Sequence, residues 1–385
     1  MIHGLITDGS RKGGEWFLHI GAHRMFERQG VVRLQGEIHE PGISRTCRAG
    51  EAAFDGKGQR SLSMAAEPAF LQELKALEEH LRTQLNGFHN SEAQIEARCL
   101  LRDRWFENRK STGTERFRGF WGKLALPGMH PAIFGADPSG KLVFRRGPWE
   151  DWPRDLPQQD HYDPAVPLIL SPYCGTLFHE AVGHALEAEY LASSPLHGYM
   201  GRSVATTALS IEDRPDLEGF AGSMQWDDTG QPVSSTTLIH RGILVGDLDH
   251  GRGVLRRESY QQLPLIRATN FLVGPSSANG GDETDWLTSL DRCYYVTWIQ
   301  SGNWNPGSHH IKALTGPIYY LERGQPRAFL PWIRLRFTML GLLQSIVAVG
   351  PAPIMDPVVH WCVKRHQAVP MSMGSPSILL EGAQS

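Results

Sequence analysis

The chain has 385 residues, of which 41% are hydrophobic and 21% are charged, with a formal net charge of −3. This length can bury the cores of two or three domains, and the 11 Trp, 15 Phe and 9 Tyr exclude disorder as a description of the whole chain. The near-neutral charge gives no general attraction to nucleic acid or to an anionic membrane, so we expect neither as a partner.

The cysteines and the apolar segments bear on the compartment. The five cysteines are dispersed and form no CxxC pair, which argues against a disulfide framework and indicates a reducing environment. The N-terminus lacks the apolar core of a signal peptide, and the longest apolar stretch, which begins at Phe337, is too short to span a bilayer. We therefore expect a cytoplasmic protein.

The first 146 residues have the pattern of a mixed α and β domain. Short runs of β-type sequence occupy residues 16–20, 31–38, 95–105 and 123–126. Apolar side chains recur on one face of residues 70–85, as they do in an amphipathic helix. These elements predict an α/β layer domain over residues 1–146, in which a helix covers a sheet.

A change in composition follows, and a strand-rich region begins after it. Residues 147–164 are rich in proline and in acidic and amide side chains, which predicts a linker. Residues 165–385 begin with an apolar strand at 166–170 and continue as strands with glycines at hairpin corners, followed by an apolar helix at 337–348. The predicted fold class is α+β: the α/β layer domain, then a β-rich C-terminal domain.

A candidate metal motif lies directly after the strand at 166–170. His179, Glu180 and His184 form H-E-x-x-x-H within a helical pattern. Histidines five residues apart lie about 140° apart around an ideal helix, so a regular helix does not bring both onto one ion. One inserted residue restores convergence, as in a π-bulge, and Gly183 makes such a distortion cheap. We therefore predict a widened turn over residues 181–184; the alternative is a pair of hydrogen-bonded structural histidines.

A catalytic zinc site needs a third protein ligand. Glu187 lies three residues after His184 and shares its helix face, whereas Glu189 is less well placed. Spacing alone does not choose between Glu187 and the remote candidates, which are His309, His310, His360, Cys174 and Cys362.

Four motifs together resemble the TldD/PmbA metallopeptidases, once called modulators of DNA gyrase. They are FHEAVGHALEAEY, RRESYQQLPLIRATN, GPIYYLERGQP and CVKRHQAVPMSMGSPSILL, in the family's order and spacing. The resemblance is strong over residues 165–381 and weaker over 68–146. It implies one metal per subunit, generally zinc although another divalent metal is possible, held by both histidines and by Cys362 of CVKRHQ.

The resemblance also implies roles for other residues. Glu180 is expected to be the general base, and Glu187 then becomes a carboxylate that orients a ligand histidine. The second motif supplies candidates for substrate binding, with turn-pinning structural roles as the alternative. These candidates are Arg257, Tyr260, Arg267 and Asn270.

The chain departs from the family's pattern in three places. Val363 and His366 replace the glycines that flank the family's lysine. Residues 301–313, SGNWNPGSHHIKA, replace a glycine-rich segment. The chain is also short before the metal motif, so we expect a shortened N-terminal domain and leave the substrate's size open.

These observations predict a zinc-dependent peptidase or amidase that acts on an unfolded peptide or on a small peptide-like biosynthetic intermediate. The alternative function is a non-catalytic partner subunit of a TldD/TldE-type heterodimer. The resemblance implies a homodimer or a heterodimer with a related subunit, without deciding between them.

Overall fold

The structure is a computed structural model. It describes residues 132–382 except 154, 230, 250–252, 259–261, 277–280 and 307–308. Before residue 132 it describes strand backbone within 2–125 and the side chains of residues 115 and 117–123. None of the helices in these parts of the chain has the length and apolarity needed to cross a membrane.

The N-terminal strands form an antiparallel sheet in the order β2-β1-β6-β7-β8-β9, with β3 paired to β1 and a separate β4–β5 pair. The predicted strands at 16–20 and 95–105 lie within β2 and β6, whereas the predicted helix at 70–85 lies outside the described residues. The strands are β1 (Ile2–Lys12), β2 (Glu15–Ala22), β3 (Glu37–Ile38), β4 (Ser44–Thr46), β5 (Ala52–Phe54), β6 (Gln94–Glu107), β7 (Thr112–Ala125), β8 (Ala132–Ala136) and β9 (Leu142–Phe144).

The segment predicted as a linker, residues 147–164, packs against the C-terminal region. Trp149 is buried and its ring lies 5.7 Å from that of Tyr295. The Trp152 ring contacts Tyr319 edge-on at 4.8 Å. The segment is therefore anchored by aromatic packing, and the division of the chain into two domains around it stays a prediction.

The C-terminal region is rich in strands, as predicted. Its first strands are β10 (Leu168–Leu170), β11 (Leu209–Asp213), β12 (Thr236–His240), β13 (Ile243–Leu244), β14 (Val254–Arg256), β15 (Leu265–Arg267), β16 (Asn270–Pro275), β17 (Arg292–Val296) and β18 (Ile299–Trp304). The later ones are β19 (His310–Thr315), β20 (Ile318–Glu322), β21 (Gln325–Leu330), β22 (Arg334–Thr338), β23 (Ile346–Val349), β24 (Ile354–Met355), β25 (His360–Lys364), β26 (Gln367–Ser375) and β27 (Ile378–Leu380).

These strands build two large sheets, a small three-stranded sheet and a separate antiparallel pair, β14 with β15. One large sheet has the order β21-β20-β17-β10-β27-β23, and the other has the order β13-β12-β11-β16-β26-β24 with β25 paired to β26. The small sheet has the order β18-β19-β22. Most pairs are antiparallel, but β10 with β17 and β16 with β26 are parallel.

A short run of helical turns is buried among these sheets. It consists of α1 (Gly175–Phe178), a π-helical turn (His179–Gly183), a 3-10 turn (His184–Leu186) and α2 (Ala188–Leu191). The apolar side chains of its first three turns are fully buried, whereas those of α2 are partly buried; the buried ones are Leu177, Phe178, Ala181, Val182, Ala185 and Leu186. A helix that is apolar on all sides belongs inside a core, and this placement brings the polar side chains of the same run inside as well.

The predicted helix at 337–348 is wrong in its extent. Helix α4 covers only Met339–Gln344, between β22 and β23, while α3 (Glu283–Ser289) lies earlier in the chain. The Thr338 side chain accepts a hydrogen bond from Gly341 N and so caps the helix start. After Ser345 the chain pairs with β27, because strand pairing in the large sheet outweighs the local helical pattern.

Three two-residue hairpin loops share one backbone conformation. Both loop residues have positive φ, as type I′ turns require. The predicted glycine corners are confirmed in two of these loops, whereas the third, between β25 and β26, has a histidine at the second position. The loops are Arg241 with Gly242, Arg323 with Gly324, and Arg365 with His366.

Replacing His366 by glycine should stabilise the fold. His366 has a φ of 63°, which costs a residue with a Cβ roughly 1–2 kcal/mol and costs glycine little. Glycine also increases the entropy of the unfolded chain, which cancels part of this gain. We therefore expect His366→Gly to raise the free energy of unfolding by about 0.5–1 kcal/mol. Urea unfolding measures this change. The matched control, His240→Gly in strand β12, should destabilise the protein, and an equal gain from both variants would contradict the explanation.

Candidate metal centre

The π-helical turn brings the two histidines of H-E-x-x-x-H together. The widened turn predicted at 181–184 is confirmed as a π-helical turn over His179–Gly183, followed by a 3-10 turn. The extra residue per turn offsets the rotation that would place His184 on another helix face. The two imidazole centroids lie 4.6 Å apart.

Gly183 leaves the space that the first imidazole occupies. A Cβ at this position would lie 2.6 Å from His179 Nδ1 and 3.3 Å from a ring carbon of Phe271. The His179 ring is therefore held between the backbone of the π-helical turn and the Phe271 ring, whose centroid lies 5.3 Å away.

Cys362 is the remote residue that meets the two histidines. It lies on β25, and its Sγ is 3.6 Å from His184 Nε2. One ligand atom from each of His179, His184 and Cys362 lies within 4.8 Å of the others, and all three residues are buried. We refer to these three residues as the ligand cluster.

The other candidates for a third ligand are engaged elsewhere. His360 Nε2 lies 2.9 Å from Asp356 Oδ2, and that carboxylate also receives two hydrogen bonds from Arg145. Cys174 is fully buried, and burial raises the pKa of its thiol to about 12. His309 is exposed. Neither these residues nor His310 belongs to the one group of possible metal ligands in the described part of the chain.

The ligand cluster fits a bound metal ion. His179 is 1% exposed, and neither of its ring nitrogens has a hydrogen-bond partner among the described residues. Leaving such atoms unpaired costs about 1–3 kcal/mol each, so a structural histidine is expected to be hydrogen-bonded. An ion bound at one nitrogen would offset part of this cost, and two imidazoles with a thiolate are a normal ligand set for Zn²⁺.

The charges around the cluster favour the deprotonated, thiolate form of Cys362. Burial by itself would raise the pKa of the Cys362 thiol, but positive charge at His184 and Arg267 holds it well below its usual range. In the metal-free protein, Cys362 and Glu187 in turn raise the pKa of His184 well above its usual value, against the effect of burial. A thiolate is the form that binds metal.

Glu187 lies beside the second histidine. Its Oε2 is 3.2 Å from His184 Nδ1, so the opposite ring nitrogen, Nε2, faces Cys362. Lys364 donates hydrogen bonds to the carboxylates of Glu187 and Glu189, at 2.8 and 2.6 Å. Although burial opposes ionisation, the charges of His184 and Lys364 lower the pKa of Glu187 to about 2. From the sequence, Lys364 was noted only as the lysine of CVKRHQ, without a role; its alternation with Cys362 on one strand was the signal that both share a side of the strand.

Glu180 differs from the ligand cluster in being half-buried. Its side chain packs against Gly302 of β18, where a Cβ would lie 2.4 Å from Glu180 Cγ. The glycine thus lets the strand backbone pass directly over the carboxylate that follows the first histidine.

Two of the predicted substrate-binding residues make buried hydrogen bonds to the backbone. Arg267 is fully buried and donates hydrogen bonds to the carbonyls of Cys362 and Gln367, so it holds the hairpin that carries the cysteine. Asn270 is also fully buried; it donates to Arg214 O at 2.9 Å and accepts from Gly222 N at 2.9 Å. Both side chains are fully buried, which agrees with the structural alternative, and their role in substrate binding stays a prediction.

The remaining two substrate candidates are less defined. The backbone N–H of Arg257 donates to Asp228 Oδ2 at 2.8 Å, and its side chain is half-buried. Tyr260 lies outside the described residues.

Comparison with known proteins identifies the family. The family model of the PmbA/TldA metallopeptidase C-terminal domain matches residues 164–385, more than half of the chain. The chain belongs to the PmbA/TldD metallopeptidase family. The matched region contains the whole ligand cluster and Glu180.

Individual relatives share this region at low identity. The chain is 29% identical to a metalloprotease TldD homolog of Haemophilus influenzae over 56% of this chain and 47% of that protein. It is 30% identical to a metalloprotease TldD homolog of Buchnera aphidicola subsp. Acyrthosiphon pisum over 59% of this chain and 49% of that protein. The aligned region thus covers about half the length of these relatives.

One solved structure resembles the fold over nearly the whole chain. The crystal structure of TldE from Thermococcus kodakarensis aligns with a TM-score of 0.54 over 99% of this chain and 93% of that one, at 15% identity. This likeness supports the mixed α+β, strand-rich architecture of the family.

Replacing Gly183 by alanine should disturb the ligand cluster. The new Cβ would overlap the His179 ring, so we expect Gly183→Ala to lower the affinity for zinc at least tenfold. Titration of the metal-free protein with Zn²⁺ against a competing chelator measures the change. Gly198→Ala is the matched control, because a Cβ there meets nothing within 4 Å. Equal zinc affinity in both variants would show that Gly183 does not position His179.

Proposed function

We propose that this protein is a zinc-dependent peptidase or amidase that hydrolyses peptide or amide bonds of an unfolded peptide or a small peptide-like compound. His179, His184 and Cys362 hold the metal, and Glu180 is the general base. The observation that carries the proposal is the buried ligand cluster next to a half-buried glutamate. The family membership and the names of the relatives support the same reaction class.

The ligand set suits hydrolysis. Three protein ligands leave one position of a tetrahedral zinc site free, as in catalytic rather than structural zinc sites. When bound, the metal supplies a Lewis acid that polarises the scissile carbonyl and makes a water molecule more acidic. The side chains that would hold the ion, His179, His184 and Cys362, are all buried and so shielded from bulk water.

Glu180 can serve the proton transfers of the reaction. It follows the ligand His179 directly, yet unlike the ligands it retains contact with solvent. In the first step its carboxylate accepts a proton from the attacking water at one carboxylate oxygen. In the second step the same oxygen delivers that proton to the leaving amine nitrogen.

An extended peptide fits the strand above Glu180. Strand β18 is the terminal strand of its sheet and pairs with β19 alone among the described strands. A substrate added along the other edge would form backbone hydrogen bonds and require little sequence preference. Gly302 places this strand directly against Glu180, which supports substrate binding close to the proposed base.

The proposed catalytic role is favoured over that of a non-catalytic partner. All three proposed ligands are buried close together and Glu180 follows the first of them, an arrangement that a non-catalytic partner would not need. The likeness to TldE concerns the fold and leaves room for assembly as a homodimer or with a related subunit.

Replacing Glu180 by glutamine should separate metal binding from turnover. We expect Glu180→Gln to bind zinc like the unmodified protein while hydrolysis falls by about 10²–10⁴-fold, the usual contribution of a general base. Unfolded casein and a peptide panel, each with and without chelator, provide the assay. The proposal fails if the unmodified chain binds no metal and any hydrolysis is insensitive to chelator.

Replacing Gly302 by alanine should also impair the proton transfers proposed for Glu180, in this case by displacing its carboxylate. The added Cβ would push Glu180 aside, so turnover should fall at least tenfold while zinc binding is unchanged. Gly274→Ala is the control because a Cβ there meets nothing within 4 Å. Full turnover of Gly302→Ala would argue against Glu180 as the base in its present position.

A further inference from the structure

Strand β25 carries a second functional side chain beside Cys362. Side chains two residues apart on a strand point to the same side. Cys362 and Lys364 are both buried, while Val363 between them is 62% exposed. One face of β25 therefore places a ligand and a lysine in the same interior region.

The ammonium group of Lys364 is fully used there. It donates to Glu187 Oε2 at 2.8 Å, to Glu189 Oε2 at 2.6 Å and to Ile266 O at 3.0 Å, which are the three hydrogen bonds that an ammonium can donate. Its side chain is 2% exposed. A buried lysine with two carboxylate partners and no free donor is fixed in position, and it holds both carboxylates in place as well.

A chain of contacts connects Lys364 through Glu187 and His184 back to Cys362 on the same strand. Cys362 Sγ lies 3.6 Å from His184 Nε2, His184 Nδ1 lies 3.2 Å from Glu187 Oε2, and that oxygen accepts from Lys364. Two of these four residues, His184 and Glu187, lie on the helical run, and the other two, Cys362 and Lys364, lie on β25. The helical run and the strand are thus joined once at the ligands and once at the ion pair.

We propose that Lys364 is a positioning residue of the metal centre. It holds the Glu187 carboxylate against His184 Nδ1 and fixes the position of β25 relative to the helical run. The inference rests on the proposed metal site. Lys364 is not one of the three proposed ligands and contacts Glu187 at 2.8 Å, so its effect on the metal site passes through Glu187. Partners of this kind contribute about 10–100-fold to metal affinity.

Zinc affinity of the full chain tests the proposal. Metal-free protein is titrated with Zn²⁺ against a competing chelator for the unmodified chain, Lys364→Met, Glu187→Gln and the double variant. We expect each single variant to lose about 10–100-fold in affinity. We expect the double variant to match Glu187→Gln within about twofold, since residues that act through one contact are not additive. Lys312→Met, which removes an exposed lysine, is the control.

Substitution with Co²⁺ separates positioning from general destabilisation. The visible absorption of bound Co²⁺ reports the geometry of its ligands, so the spectrum of Lys364→Met at saturating Co²⁺ should differ from that of Lys312→Met. A Lys364→Met variant with unchanged zinc affinity and an unchanged cobalt spectrum overturns the inference, whatever its thermal stability.

The remaining outcomes are also decisive. If Lys364→Met does not fold, the comparison of Glu187→Gln with the double variant remains, because neither leaves Glu187 charged without its partner. A further tenfold loss in the double variant would contradict a role through Glu187. If the unmodified chain binds no zinc, both the proposed function and this inference fail. If it binds zinc but hydrolyses nothing, only the proposed activity fails.

Discussion

The arrangement of the proposed site depends on the convergence of two histidines that are five residues apart. A regular helix would point them about 140° apart, and the π-helical turn over His179–Gly183 removes that separation. This turn tolerates its irregular backbone because the apolar side chains around it are fully buried among strands of both large sheets. Glu180 belongs to the same turn and is half-buried, whereas both histidines are buried.

The second constraint is the hairpin of β25 and β26. Cys362 lies 178 positions after His184 in the sequence, so it must be held beside the histidines by contacts outside its own strand. Arg267 donates to its carbonyl, and Lys364 ties the same strand to Glu187. Cys362 is thus held in a buried site where positive charge at His184 and Arg267 lowers the pKa of its thiol.

Local physics made part of this predictable. Histidines five residues apart do not face one ion on a regular helix, and this mismatch together with Gly183 was enough to predict the widened turn. Glycines in the loops predicted two of the hairpins. Long-range contacts were beyond such reasoning. Spacing did not select Cys362, burial of Arg267 and Asn270 had no local signature, and pairing of β23 with β27 cut short a helix that its apolar pattern favoured.

The central claim is that two histidines and a distant cysteine bind one metal ion. The most direct test is the zinc content and affinity of the full chain and of its Cys362→Ser variant, measured by elemental analysis and chelator competition after reconstitution. We expect one tightly bound Zn²⁺ per unmodified chain and at least a tenfold loss of affinity in the variant. Full zinc occupancy with unchanged affinity in Cys362→Ser would contradict it.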